Sequence, residues 1–226
     1  MSLDLDVEVS RIREKLDGYR ARGLRMFATS SFQTNSVVLL DLLDRYAPDV
    51  PVYFLNTGYH FSETLAFKRA LSKRFKLKIL ELRSPVSRDQ QRDGHGRLLF
   101  SSDPDHCCHL NKVLPLDPVL LRHDVWVNGI RASQGSARGQ RQEEETGRHG
   151  VLRYHPLLRW GGREIYQWLQ RHDLPTHPLE DEGYGSIGCQ PCTRRILDQL
   201  DLDDRGGRWA GMKKTECGLH TSQEGT

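Results

Sequence analysis

Apolar side chains recur at helical spacing through Leu5, Val9, Ile12 and Leu16, and Gly18 and Gly23 close the run, which predicts a helix over residues 5–20. The pattern then changes to short apolar runs alternating with amphipathic stretches. LRMFAT (24–29), PVYFLN (51–56) and LKILELR (77–83) read as buried strands. SVVLLDLLDRY, stopping before Pro48, and SETLAFKRALSKRF, with Ser62 as its N-cap, read as the helices between them. Such passes of strand then helix predict right-handed βαβ units, hence an α/β fold with a mainly parallel sheet flanked by helices.

The later pattern is less regular. DHCCHLNKVLPLDPVLLRH reads as helix interrupted by Pro115 and Pro118, DVWVNGI (124–130) as a fourth strand, and VLRYHPL as another. GREIYQWLQRHD predicts a helix with Ile165, Trp168 and Leu169 on one face. RASQGSARGQRQEEETGRHG carries almost no apolar side chain and predicts a mobile surface loop. From about Arg205 the apolar density collapses. The expected organisation is one catalytic α/β domain over 1–204 and a flexible tail over 205–226, outside the core.

Composition narrows the function. At 226 residues, with 37% hydrophobic and 28% charged positions, the chain is of globular type and lacks the ~20-residue apolar run of a membrane helix. The acidic N-terminus has no secretion-signal layout, so a cytoplasmic location is expected. A net charge of +3, spread along the chain, argues against nucleic-acid binding and leaves local clusters facing a small anion. Assembly as a homo-oligomer stays open.

Chemistry concentrates in four places. ATSSFQTNS (28–36) joins a strand to a helix, where ligands of open α/β sheets bind. Hydroxyls of Ser30, Ser31, Thr34 and Ser36 can cradle a phosphate or sulfate there, or merely start the helix. The segment matches neither a P-loop nor a glycine-rich dinucleotide fingerprint. Cys107-Cys108 and Cys189-Gln-Pro-Cys192 form two close thiol pairs, a four-ligand set whose tandem half suits an iron–sulfur cluster better than a zinc knuckle. Lys112, four residues after Cys108, is placed to offset its charge. Among many arginines, Arg131, after a strand end, and Arg195, after the second pair, have the best claims on an anion. Cys217, with Lys213, Lys214 and His220 nearby, is the thiol left over.

Together these segments resemble the assimilatory adenylylsulfate (APS) and 3′-phosphoadenylylsulfate (PAPS) reductases. ECGLH resembles the family's catalytic tail, FLNTGYHFSETLAF its LDTGYxFxET stretch, and NGIRASQGSARG its GxRxxQSxxR loop. PLLRWGGREIYQWLQRHDLPTHPLEDEGYGSIGC resembles the segment that follows. Asn56 replaces the family's aspartate, and Gly135 its serine, with Ser136 next. The resemblance implies a PP-loop (adenine nucleotide α-hydrolase-like) fold. It implies Cys217 as nucleophile and an S-sulfocysteine intermediate, with thioredoxin or glutaredoxin as reductant. It also implies a [4Fe–4S] cluster on Cys107, Cys108, Cys189 and Cys192. Substrate contacts would come from Ser30, Ser31, Phe32, Thr57, Lys112, Arg131, Gln134, Arg138, Arg195 and His220. The four cluster cysteines favour APS, while the hydroxyl-rich SSFQTNS leaves PAPS, or both nucleotides, open. A PP-loop tRNA thiolase would want SGGxDS in that loop. A non-catalytic redox sensor would need neither ECGLH nor the loop.

Overall fold

The computed structural model describes residues 3–196, 207–209, 211, 212, 214 and 216–219. The helix α1 (Leu5–Ala21) is capped by Asp4, whose carboxylate accepts from the Asp6 and Val7 amides. Then come β1 (Met26–Thr29), α2 (Thr34–Tyr46), β2 (Val52–Leu55), α3 (Ser62–Arg74) and β3 (Ile79–Leu82). The N-cap of α3 is Phe61, without a side-chain cap bond; Ser62 is the first helical residue and its hydroxyl turns to Glu63. The middle segment holds α4 (Leu99–Ser102), α5 (Pro104–Cys108), a wide π turn over His109–Val113, and α6 (Leu114–Leu120). Pro115 lies in the first turn of α6, where its missing N–H costs nothing, so only Pro118 lies inside the helix. The chain continues through β4 (Val125–Asn128), α7 (Ser136–Gly139), β5 (Glu144–Thr146), β6 (Leu152–Tyr154) and α8 (Gly162–Arg171).

The sheet order is β3-β2-β1-β4-β6-β5, with every pairing parallel except that of β5 with β6. Strand alternation sorts the core onto two faces. Met26 and Ala28 of β1, with Val125 and Val127 of β4, join the buried residues of α1, α2 and α8. Phe27 and Trp126 point the other way, onto Leu116, Val119 and Leu120 of α6. Each such fully buried Leu or Val contributes about 1.5–3 kcal/mol. The one acid buried in apolar α2, Asp41, is matched by the Trp168 indole at 3.0 Å and by Arg45 at 2.7 Å.

Residues 131–150 depart from the surface loop that their polarity predicts. They carry α7 and the antiparallel edge strand β5, and Arg131 is buried. The acidic triplet is what docks them: Glu143 pairs with Arg11, and Glu144 takes Lys15 at 2.5 Å and the Tyr19 hydroxyl, all from α1. Among the described residues, no helix is long and apolar enough to cross a membrane.

Candidate active site

The chain runs from β1 outward to β2 and β3, then returns to place β4 on the other side of β1. The crevice between the carboxyl ends of β1 and β4 is therefore the topological switch point, where open α/β sheets bind ligands. Thr29 and Asn128, the last residues of these strands, lie opposite each other in register. Above them opens a cleft with about 1090 Å³ of space, its mouth included.

Ser30, Ser31, Gln33, Asn35 and Ser36 line this cleft. The Ser31 and Ser36 hydroxyls are 3.0 Å apart, and Ser30 Oγ accepts from the Phe32 amide at 3.1 Å. Thr34 is spent otherwise: its hydroxyl donates to Glu180 and accepts from the His177 amide. Phe32 turns its ring into the core against Phe54, with a left-handed φ of 55° that folds the loop back over β1.

The same cleft carries cations. Lys112, Arg138 and Arg208 line the cleft together with Cys217 and Gln134. Arg138 grips Glu216 through two bonds of 2.8 and 2.9 Å and bonds Gln134 at 2.6 Å. Glu216 also accepts from the Cys217 amide at 2.8 Å. Arg131 is not part of the wall; its Nη1 lies 3.1 Å from Ser133 Oγ. Arg195 is also elsewhere, paired with Glu182 at 2.7 Å and lying over the Tyr184 ring. His220 lies outside the described residues. Arg208 is the cation that residue-by-residue reading missed. Gly188 leaves it room: a Cβ there would stand 2.3 Å from the Arg208 guanidinium and push that side-chain end aside.

Cys107, Cys108, Cys189 and Cys192, all free, line one narrow cavity beside the cleft, with about 370 Å³ of space, its open mouth included. Thr57, absent from the cleft wall, serves here: its hydroxyl is 3.3 Å from Cys189 Sγ. Asn111 places its amide 3.6 Å from Cys107 Sγ. Burial, with the neighbouring Cys189 and Cys192, pushes the Cys107 thiol up to about 11, and burial raises Cys192 as well. Among the described residues, no three His, Cys, Asp or Glu side chains converge on the position of a single ion. Asn56, in the turn before Thr57, accepts from the Gly58 amide at 3.1 Å as an aspartate would. Its Nδ2 additionally donates to Glu81 at 3.1 Å, which an aspartate cannot do.

The described tail residues also differ from the outside position that low apolar density predicts. Trp209 is 3% exposed and Cys217 9%, packed with Cys192. Few apolar residues are needed, because polar contacts hold the rest. Trp209 N donates to Cys192 O at 3.0 Å, Arg194 N to Gly207 O at 2.9 Å, and Lys214 pairs with Asp105. Cys217 Sγ lies 3.4 Å from Lys112 Nζ. A hydrogen bond from the Cys108 thiol, then the Lys112 charge, overcome burial and hold the Cys217 thiol well below its ordinary value. The same bond, with burial, raises Cys108. Burial works against the Lys112 ammonium, but the neighbouring Cys217 charge prevails and raises it.

A hydroxyl-lined loop at the switch point shares its cleft with cations and a cysteine, on an α/β domain of PP-loop type. The chain belongs to the phosphoadenosine phosphosulfate reductase family, whose domain model matches residues 25–195. It is 39% identical over 208 residues to a phosphoadenosine 5′-phosphosulfate reductase of Gloeobacter violaceus, covering 90% of this chain and 86% of that one. It is 33% identical to an adenosine 5′-phosphosulfate reductase of Halalkalibacterium halodurans, covering 97% of this chain and all of the other. In structure it resembles a phosphate complex of phosphoadenylyl-sulfate reductase from Candida auris, with a TM-score of 0.65 at 23% identity, over 84% and 97% of the two chains. It also resembles an FMN adenylyltransferase of Candida glabrata, with a TM-score of 0.56 at 17% identity, over 86% and 67%. These two share its fold.

Proposed function

We infer that this oxidoreductase reduces APS to sulfite and AMP, with Cys217 as nucleophile and a dithiol protein of the thioredoxin or glutaredoxin type as electron donor. The observation that carries the reading is the Cys217 sulfur on the lining of the cleft that also holds the hydroxyl loop, 3.4 Å from the Lys112 amine. The thiolate attacks the sulfur of the activated sulfate, the S–O bond to the phosphate breaks, and AMP departs. Lys112, Arg138 and Arg208 offset the charge of an anion meeting an anion. A reduced dithiol then attacks the Cys217 adduct, becomes a mixed disulfide, and expels sulfite; its second thiol closes its own disulfide and frees Cys217. The tail that carries Cys217 has to leave the cleft for that exchange, so the 205–226 segment acts as a mobile arm.

The four-thiol cavity suits a [4Fe–4S] cluster. The thiols ring a space rather than converging on one ion, and Thr57 and Asn111 supply polar groups next to two of the sulfurs. Cys107, Cys108, Cys189 and Cys192 would hold it; Cys108 would then give up its hydrogen bond to Cys217 and leave Lys112 to favour the Cys217 thiolate. When bound, such a cluster supplies fixed charge beside the sulfate end without itself carrying the electrons.

PAPS is the second reading. The Ser31 and Ser36 hydroxyl pair offers a place for a 3′-phosphate, and the Gloeobacter relative is named for that nucleotide. The test is anaerobic sulfite release from APS and from PAPS with reduced thioredoxin, in the full chain and in Cys217→Ser. We expect kcat/KM to favour APS and the variant to release no sulfite while keeping the brown absorbance of the cluster. Turnover by the variant overturns the nucleophile, and a colourless active enzyme overturns the cluster.

A further inference from the structure

Arg153 of β6 sits beside Trp126 of β4 in register, and its guanidinium lies 5.1 Å over the indole ring. The residue is 5% exposed, and its Nε is withdrawn from water without a hydrogen-bond partner. Gly147 makes the room: a Cβ there would stand 2.5 Å from that Nε. Burying a guanidinium is costly unless a close ion pair offsets it. The carboxylate at hand does so poorly. Glu145 Oε1 stands 3.7 Å from Nη1 and is held at 2.7 Å by Arg141. The shorter contact of Arg153 is with the arm, where Nη2 donates to the Leu219 carbonyl at 3.3 Å.

Leu219 follows Cys217 by two residues, and its amide hydrogen-bonds the Cys217 sulfur. Its side chain packs on the cluster that includes Phe27, Leu116 and Trp126. On the other side of the sulfur, Arg138 holds Glu216. The residues that present Cys217 are therefore gripped at both ends. Arg153 supplies the far grip and does not itself line the cleft. The structure assigns Arg153 as a positioning residue: through the Leu219 carbonyl it seats the turn that sets the Cys217 sulfur on the cleft. This rests on Cys217 being the nucleophile inferred above and adds the residue that aims it. A framework role, tying β6 to β5 through Glu145, would show in stability and not in the arm.

The test compares the full chain, purified anaerobically, with Arg153→Met and Arg153→Lys. Methionine keeps an apolar stem over Trp126 and removes the donor, whereas lysine keeps a donor. Amide hydrogen exchange over 216–219 is read without substrate, beside thermal melts and sulfite release from APS with reduced thioredoxin. R153M should exchange the arm amides roughly tenfold faster, as a lost bond from a charged donor implies, with the amides of β1 unchanged. Its kcat should fall about tenfold while KM for APS stays within about twofold. The melt should stay level or rise, since an uncompensated buried charge is gone. R153K should recover most of both losses. Unchanged arm exchange in R153M overturns the inference, as does a rise in KM alone or an acceleration shared by β1. Should R153M not fold, Gly147→Ala takes its place. Its Cβ crowds the guanidinium aside from an ordinary extended backbone, and arm exchange should again quicken. A wild-type chain that releases no sulfite fails the function inferred above, and the exchange rates then decide on Arg153 alone.

Discussion

Phe32 is held in a backbone region that bulky L-residues avoid, with its ring edge-on to Phe54 at 5.4 Å between centroids. The strain persists because the ring is fully enclosed, and the kink leaves the neighbouring Ser31 and Gln33 side chains on the cleft wall. Phe32→Ala should cost about 3–5 kcal/mol in urea unfolding, with an unchanged m-value. A loss below about 1 kcal/mol would mean that the ring is not what holds the loop. At this scale the sequence was readable where a residue type carries its own chemistry. The hydroxyl loop, the two thiol pairs, Lys112, Gln134 and Arg138 all reach the cleft or the cavity beside it. Arg131 and Arg195 do not, because a guanidinium near a motif serves its nearest partner, Ser133 or Glu182. Arg208 went unnoticed because its place on the cleft comes from folding, which sets its guanidinium beside Gly188.

Among the elements, the segment after α8 is pinned to both α2 and α3 through His177. Its amide donates to Thr34 Oγ1 at 2.9 Å, its Nδ1 accepts from the Leu179 amide, and its Nε2–H therefore donates to Thr64 at 3.0 Å. Burial lowers this imidazole from 6.5 to about 4, with Glu63 pulling weakly the other way. The unfolded chain thus binds the extra proton between those values. The contribution is complete above pH 6.5 and is lost as pH falls toward 4, on the order of 3 kcal/mol across the window. His177→Gln should flatten that part of the stability–pH curve measured by denaturant unfolding; an unaltered slope would place the titration elsewhere. Parallel strands and their helices were legible because apolar periodicity builds them. Edge strand β5 was not, since Glu143, Glu144 and Glu145 fasten it through Arg11, Lys15 and Arg141, partners far apart in sequence or on the same polar stretch.

For the whole molecule, the tail and the cysteine cavity form one structure. Trp209 lies on Cys192, and the arm ends against Cys108 through Cys217 and Gly218, whose missing Cβ would stand 3.7 Å from Cys108. Replacing Cys192 by Ser should therefore loosen the arm. Trypsin should then cut at Arg208 or Lys214 roughly tenfold faster while the α/β domain resists. An equal cutting rate in the variant and the wild type would separate the two. The docked arm also bears on survival in an oxidising cell. A thiolate that peroxide converts to sulfinate is lost for good, and that damage scales with access as much as with charge. With the arm down, Cys217 shows only 9% of its surface. With Cys217 proposed as the nucleophile, that sulfur would be exposed mainly during turnover, and the working lifetime in such a cell is expected to count in catalytic cycles more than in hours.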